Sequence, residues 1–490
     1  MPKTHSIRLA IISTFFSITL CSSVNADIVN IPNTFSNGSV ADAIDVNDNF
    51  TALEDEANAK DARLALVEQG KFISTHFSLS NNDDGLFNTI LGYQAGFSIK
   101  KEATHNVAVG HLALFSNTTG KYNTASGNNA LYYNTSGYRN TATGNTALNS
   151  NTSGFTNTAN GNSALYSNTT GYSNTATGSN ALFSNTSGIR NTAMGAATLS
   201  SNTTGDSNTA MGYNALENST TGSKNTATGF WALNSNTTGS ENTATGTFVL
   251  ERNTTGSSNT ANGFGALKYN TSGESNTAIG YDALSANQIG SFNTASGAGA
   301  LKKNNTGIFN TAFGYNALRN NTSGQYNTAI GYNAGNIPNN LFNSTAIGYY
   351  AKVNSSNTIR LGNTSIATIE GQVPFTSTSD RRLKEDITTT SLGLAFINDL
   401  NPVQYHRINN QNPALEMGII AQELDAVLKH HDASNMGMIH QVNNGMMSVR
   451  YNDLLAPIIK SVQELSAENN ALKTELSELK ALILSRNKYE

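Results

Sequence analysis

A serine, an aspartate and a lysine stand close together at Ser379, Asp380 and Lys384, in the run Thr378-Ser-Asp-Arg-Arg-Leu-Lys-Glu-Asp-Ile387. A serine hydroxyl is a weak nucleophile until a neighbouring base takes its proton. A lysine amine can be that base only where desolvation keeps it neutral near pH 7. On residue types alone, Ser379 and Lys384 read as a solvated loop pair, so the surrounding elements decide their meaning. Composition changes abruptly at Ser379, from an almost uncharged sequence to a charged, Met-bearing, helix-compatible one. That shift places a domain boundary there.

Three further landmarks follow in order: Asn401-Pro-Val-Gln-Tyr405, Met417-Gly-Ile-Ile-Ala-Gln-Glu-Leu424 and Tyr451-Asn-Asp-Leu-Leu455. Together with the Ser-Asp run and a terminal heptad segment, they resemble the peptidase S74 domain, the intramolecular chaperone at the C-terminus of phage tailspikes and endosialidases. The resemblance covers residues 379–490. It implies a self-cleaving dyad with Ser379 as the nucleophile and Lys384 as the base, acting once, in cis, with no other substrate. It also implies that the site forms only when the domain folds and trimerises. The scissile bond lies among Thr378, Ser379 and Asp380. The family points to the bond after the serine, whereas attack on the Thr378 carbonyl passes through a five-membered ring and is geometrically easier.

The segment 455–483 carries regular heptads. Leu455, Val462, Asn469, Leu476 and Ile483 fill position a, and Ile458, Leu465, Leu472 and Leu479 fill position d. With Glu and Lys on the flanks this pattern predicts a coiled coil, and Asn469 at an a position would fix register at some cost in stability. A single helix packed on its own domain is the alternative.

Upstream, Asn-Thr-Ala recurs every 17 residues from Asn123 to Asn327, with looser copies at Asn88, Asn106 and Ser344. Counting that Asn as position 1, Ala fills positions 3 and 8, Leu usually position 9, and Gly positions 5 and 15. A fixed short period means a solenoid whose units touch only their neighbours. Two Gly-marked turns per unit leave room for two short strands and no helix. Position 3 would point into a narrow interior, and the Asn residues would stack as side-chain ladders. Leu131, Leu148, Leu165 and Leu182 would form an apolar stripe needing cover, most simply by two further copies. The expected fold is therefore mainly β: a homotrimeric parallel β-roll over 88–351, then a neck (352–378), then a small α/β domain ending in the coiled coil. A single-chain solenoid is the alternative. The repeats resemble the heads of trimeric autotransporter adhesins and the Asn-Thr-Ala-x-Gly repeats of bacterial tail-fibre-domain proteins. The four-strand membrane anchor of a true autotransporter has no counterpart here, so that export route is not implied.

Residues 1–26 read as a signal peptide: Lys3, His5 and Arg8, an apolar run Leu9–Leu20, and a Val24-Asn25-Ala26 cleavage site. The chain would then be secreted or surface-displayed, with no membrane span after signal removal. Its single cysteine, Cys21, lies inside that segment, which leaves the mature chain without thiol chemistry. The leader 27–75 resembles the start of secreted bacterial fibre-like proteins. Phe50, Leu53, Ala57, Leu64 and Val67 fit a short helical stalk or an ordinary amphipathic helix.

Charged residues are only 13% of the 490, and the net charge of −4 gives no electrostatic case for nucleic acid or anionic membrane. No cofactor pattern is present, and His430 and His431 are adjacent, which argues against one metal between them. Scattered acidic residues in the repeats (Asp206, Glu217, Glu241, Glu251, Glu274, Asp282) do not all recur at one unit position, so a tailspike-like glycan hydrolase lacks support for its carboxylate pair. The leading expectation is a trimeric adhesin-like fibre that meets a host-cell or glycan receptor. An ice- or surface-binding solenoid, using Thr columns at positions 2 and 13, is a further alternative.

Overall fold

The computed structural model describes residues 78–79, 87–335, 340–366, 368–372, 376–408, 415–441 and 445–487. The signal segment 1–26 and the leader 27–75, with its stalk positions, lie outside the described residues. A short strand β1 (Ser78–Leu79) runs antiparallel to β2 (Thr89–Gly92), which pairs in parallel with β3 (Val107–Val109). From β4 (Thr124–Ser126) to β17 (Thr345–Ile347) each unit adds one three-residue strand, parallel to the last, and β18 (Ile359–Leu361) closes the series. Register is strict: Thr141 faces Thr158, and Ala142 faces Ala159.

The strand alternates as a half-buried strand must. In β5 (Thr141–Thr143) the central Ala142 is fully buried while its neighbours face out. Two Asn columns stitch the coils together. At position 1, Asn140 Oδ1 accepts the backbone N–H of Asn157 at 3.0 Å, and Asn140 Nδ2 donates to the Gly154 carbonyl at 2.8 Å. At position 12, Asn151 Nδ2 donates to Asn134 Oδ1 at 2.7 Å and to the Gly154 carbonyl at 3.0 Å. Both columns are buried. These amides meet turn groups that a 17-residue coil would otherwise leave unpaired, although Asn202 Oδ1, whose ladder neighbour in the next coil is Ser219, has no partner. Glycine is required where coils meet: a Cβ on Gly144, at φ +131°, would lie against the Gly161 carbonyl of the next coil.

Two expectations are corrected. Each coil has one strand, not two, because the Ala-Leu segment is a chain of turns in which residues 7 and 9 take positive φ (Thr146 +53°, Leu148 +50°). Its amides donate alternately backward and forward along the rod, Thr146 to Asn128 and Leu148 to Ala164. That alternation also turns the leucine inward. Leu131, Leu148, Leu165 and Leu182 are fully buried within the single chain, so the stripe needs no second copy to cover it. Each left-handed residue costs of order 1 kcal/mol. The inter-coil hydrogen bonds and the burial of one leucine and two alanines per coil offset that cost.

Past the shaft come a 3-10 turn (Arg381–Leu383), α1 (Leu394–Asp399), the antiparallel pair β19 (Pro402–Tyr405) and β20 (Glu416–Ile419), and α2 (Ala421–His430). A second pair, β21 (Ile439–Gln441) and β22 (Met447–Val449), leads through a 3-10 turn (Tyr451–Leu454) into the long helix α3 (Leu455–Arg486). Leu392, Phe396, Leu424, Leu428, Ala433, Met438 and Leu454 form one small core. No described helix is long and apolar enough to cross a membrane.

Candidate active site

The Ser379–Lys384 segment is organised by one short turn. Asp380 caps it, its Oδ1 accepting the Arg382 N–H at 2.8 Å. The Arg382 guanidinium folds back on the same carboxylate, Nη2 to Oδ2 at 2.8 Å. That side-chain bond first, and the backbone N–H second, hold the Asp380 carboxyl below the usual carboxylate range. The turn closes where the Lys384 N–H donates to the Arg381 carbonyl, which brings the lysine back over the residue preceding the cap. Lys384 Nζ donates to Ser379 Oγ at 2.6 Å.

Nucleophile and amine are therefore in contact, and Asp380 is turned away toward Arg382. Both dyad side chains, with Thr378 beside them, are exposed in the single chain. Leu383 and Ile387, next to them, are exposed as well. A lysine accepts a proton from a hydroxyl only when its surroundings disfavour the ammonium form. The described residues supply the contact but not a dry environment.

The landmarks around the site serve one scaffold. The Tyr451 hydroxyl accepts the Ile419 N–H at 3.0 Å. It lies so near Gly418 that a Cβ there would collide with it, and the Tyr405 ring flanks the same spot. Asn-Pro-Val-Gln-Tyr, Met-Gly-Ile-Ile and Tyr-Asn-Asp-Leu thus meet at one glycine. A second tie joins α3 to α1: Glu464 Oε2 accepts the Leu394 N–H at 2.6 Å, capping α1 from the long helix. This cap first, and Lys460 after it, hold the Glu464 carboxyl below its usual range. A side chain on Gly393 would occupy the position of that carboxylate.

Sequence reasoning missed Asp399. His431 Nε2 pairs with Asp399 Oδ2 at 2.8 Å, and the His430 ring stands edge-on to His431. The ligand-capable atoms of all three lie within 4.8 Å of one another, so adjacency in sequence does not keep the two rings apart. His431 also meets the Phe396 ring edge-on at 5.6 Å. Its contacts tie the end of α1 to the end of α2. No spacing rule links Asp399 to a histidine 32 residues later.

From Leu465 to Arg486 every residue of α3 is exposed, the heptad leucines among them (Leu472 63%). Apart from Asn469 this seam is apolar, and no described residue covers it.

The family model described as chaperone of endosialidase (Peptidase_S74) matches residues 379–432. The match begins at the candidate nucleophile and runs through α2. No curated protein matches the chain. Residues 379–432 are thus a peptidase S74 chaperone domain that follows a β-solenoid of about 16 turns, an arrangement similar to that of tail-fibre-type proteins.

Proposed function

We propose that this chain is an exported, homotrimeric, adhesin-like fibre whose C-terminal domain drives assembly and then cuts the chain once beside Ser379. The observation that carries the reading is the Lys384 Nζ–Ser379 Oγ contact of 2.6 Å, standing at the first residue of the family match. In the proposed step, neutral Lys384 takes the hydroxyl proton as Ser379 Oγ attacks the adjacent carbonyl. The amide C–N bond breaks, the amine leaves with a proton, and water hydrolyses the resulting ester. The exposure of both groups supports coupling to assembly, because no described residue of the chain provides a water-excluding wall around them. The heptad seam of α3 supports self-association, since from Leu465 onward its exposed leucines and isoleucine have no partner among the described residues. Domain limits follow from the same reading: signal 1–26, leader and stalk 27–75, repeats 88–351, neck 352–378 and chaperone 379–490. Neither cofactor nor metal enters the mechanism.

The test is intact mass of the purified chain beside Ser379→Ala and Lys384→Ala. Wild type splits beside Ser379 and both variants stay whole, with the fragment masses assigning the bond. A wild type that remains one full-length chain removes the self-cleavage claim. The domain would then be a permanent assembly cap.

A further inference from the structure

Inward leucines remove the simplest reason for copies of the shaft to pack together, and raise the question of which face they would use. Three columns point outward from the strand side of the rod: position 2, which is Thr in every exact repeat, position 4, and position 6 just beyond the strand. Between residues 123 and 349 these columns carry no Asp, Glu, Lys, Arg or His. All charges of that stretch fall on other positions. There some of them pair between neighbouring coils, as Lys224 does with Glu241 at position 17, 3.0 Å apart. The strand face also becomes apolar toward its C-terminal end. Ile279, Phe313, Ile330 and Ile347 occupy position 4, and Tyr315 and Tyr332 position 6, all between 40 and 58% exposed.

We infer that this strand face, positions 2, 4 and 6, is the surface through which copies of the chain pack side by side along the shaft. The inference rests on the self-association read above. Copies related by a rotation axis parallel to the rod bring each column against its own equivalent. A column of charges would then meet like charges at every level, whereas Thr, Met, Ile, Phe and Tyr meet themselves without penalty. The Ser/Thr turn at positions 13 and 14 is uncharged as well, but the strand face adds to that condition the exposed apolar column of Ile279, Phe313, Ile330 and Ile347. An exposed apolar stripe of this length on a monomer would be an aggregation liability, and its concentration at the end nearest the assembly domain in sequence matches copies held together from that end. The side chains that protrude at positions 4 and 6 do not make a flat lattice-matching array. The position 13 threonines donate their hydroxyls to the next coil, as Thr152 does to the Thr169 carbonyl at 3.0 Å. Both facts favour a second copy over an ice surface.

The experiment uses the full chain with its only cysteine removed (Cys21→Ser), carrying either Ile330→Cys on the strand face or Lys224→Cys on a charged column. Each is treated with oxidant or a short bis-maleimide, and native mass is measured in parallel. The inference predicts a trimeric native mass for both and crosslinking at position 330 only. Three thiols at one level can form one link, so about two of every three chains run as a dimer on a denaturing gel. A trimer that fails to crosslink at position 330, or does so equally at 224, overturns this face while leaving self-association standing. A monomer overturns both, and ice-growth inhibition by that monomer would assign the face to ice instead.

Discussion

Ser379 and Lys384 show how far a residue-level reading reaches. Their contact depends on a single capped turn, and the run Ser-Asp-Arg-Arg-Leu-Lys contains all of that turn. Asp380 caps, Arg382 neutralises it, and Lys384 comes round to the serine. Arg382→Ala is expected to slow cleavage without abolishing it, because the cap N–H remains while the clamp on Asp380 is lost; rates of fragment appearance check this. Asp399 was not legible in the same way. Its meeting with His431 depends on how α1 packs against α2, and no local pattern encodes that. Glu464 is a similar case, since the heptad marks only the helix that carries it. Its carboxyl is held low, so its contribution to stability is complete above the unfolded value of about 4.3. That contribution is lost as pH falls through the lower folded value. The thermal midpoint of the C-terminal domain should therefore drop across that acid window. In Glu464→Gln it should be lower at neutral pH and flatter on acidification. Equal acid profiles for the two proteins would remove the cap from the account.

At the scale of the element, the repeat made the Asn ladders legible because ladder chemistry follows directly from a fixed period. Asn225 receives and passes on that chemistry: its Nδ2 reaches Gly239 at 2.9 Å, and its Oδ1 accepts from the Asn242 N–H at 3.0 Å. Asn225→Ala strands both groups in a buried setting and should cost about 1–3 kcal/mol, read as a lower unfolding midpoint for the shaft. An exposed threonine of the strand face, Thr226→Ala, is the control expected to move little. The direction of the leucines was not legible. Leucine at φ near +50° is against its own preference, and nothing in the Ala-Leu dipeptide announces it. The conformation exists because the amides alternate between preceding and following coils, a property of the stack rather than of the unit. The same alternation replaced the expected second strand. In α3, Asn469 sits at an a position of an otherwise apolar seam. Asn469→Ile should raise the melting temperature of the assembled domain while broadening its distribution of oligomeric states, which native mass spectrometry would reveal.

At the scale of the molecule, two regions of opposite character share one chain. The shaft is nearly uncharged, locally hydrogen-bonded and closed on itself, so each coil is held by its neighbours and needs no distant contact. The C-terminal domain has a core of only a few described side chains and a helix whose outer length is exposed among the described residues. Order of this kind fits a division of labour in which the small domain brings copies together and the shaft then sets its register. On the proposed reading, the dyad becomes dry on assembly and cuts last. The measurement that tests this most directly compares denaturing and native mass for wild type and Leu472→Glu, a substitution on the exposed seam far from Ser379. The account predicts a wild type that is trimeric and cleaved beside Ser379, and a Leu472→Glu chain that is monomeric and uncut. A monomeric Leu472→Glu chain that still cleaves at the wild-type rate would contradict it.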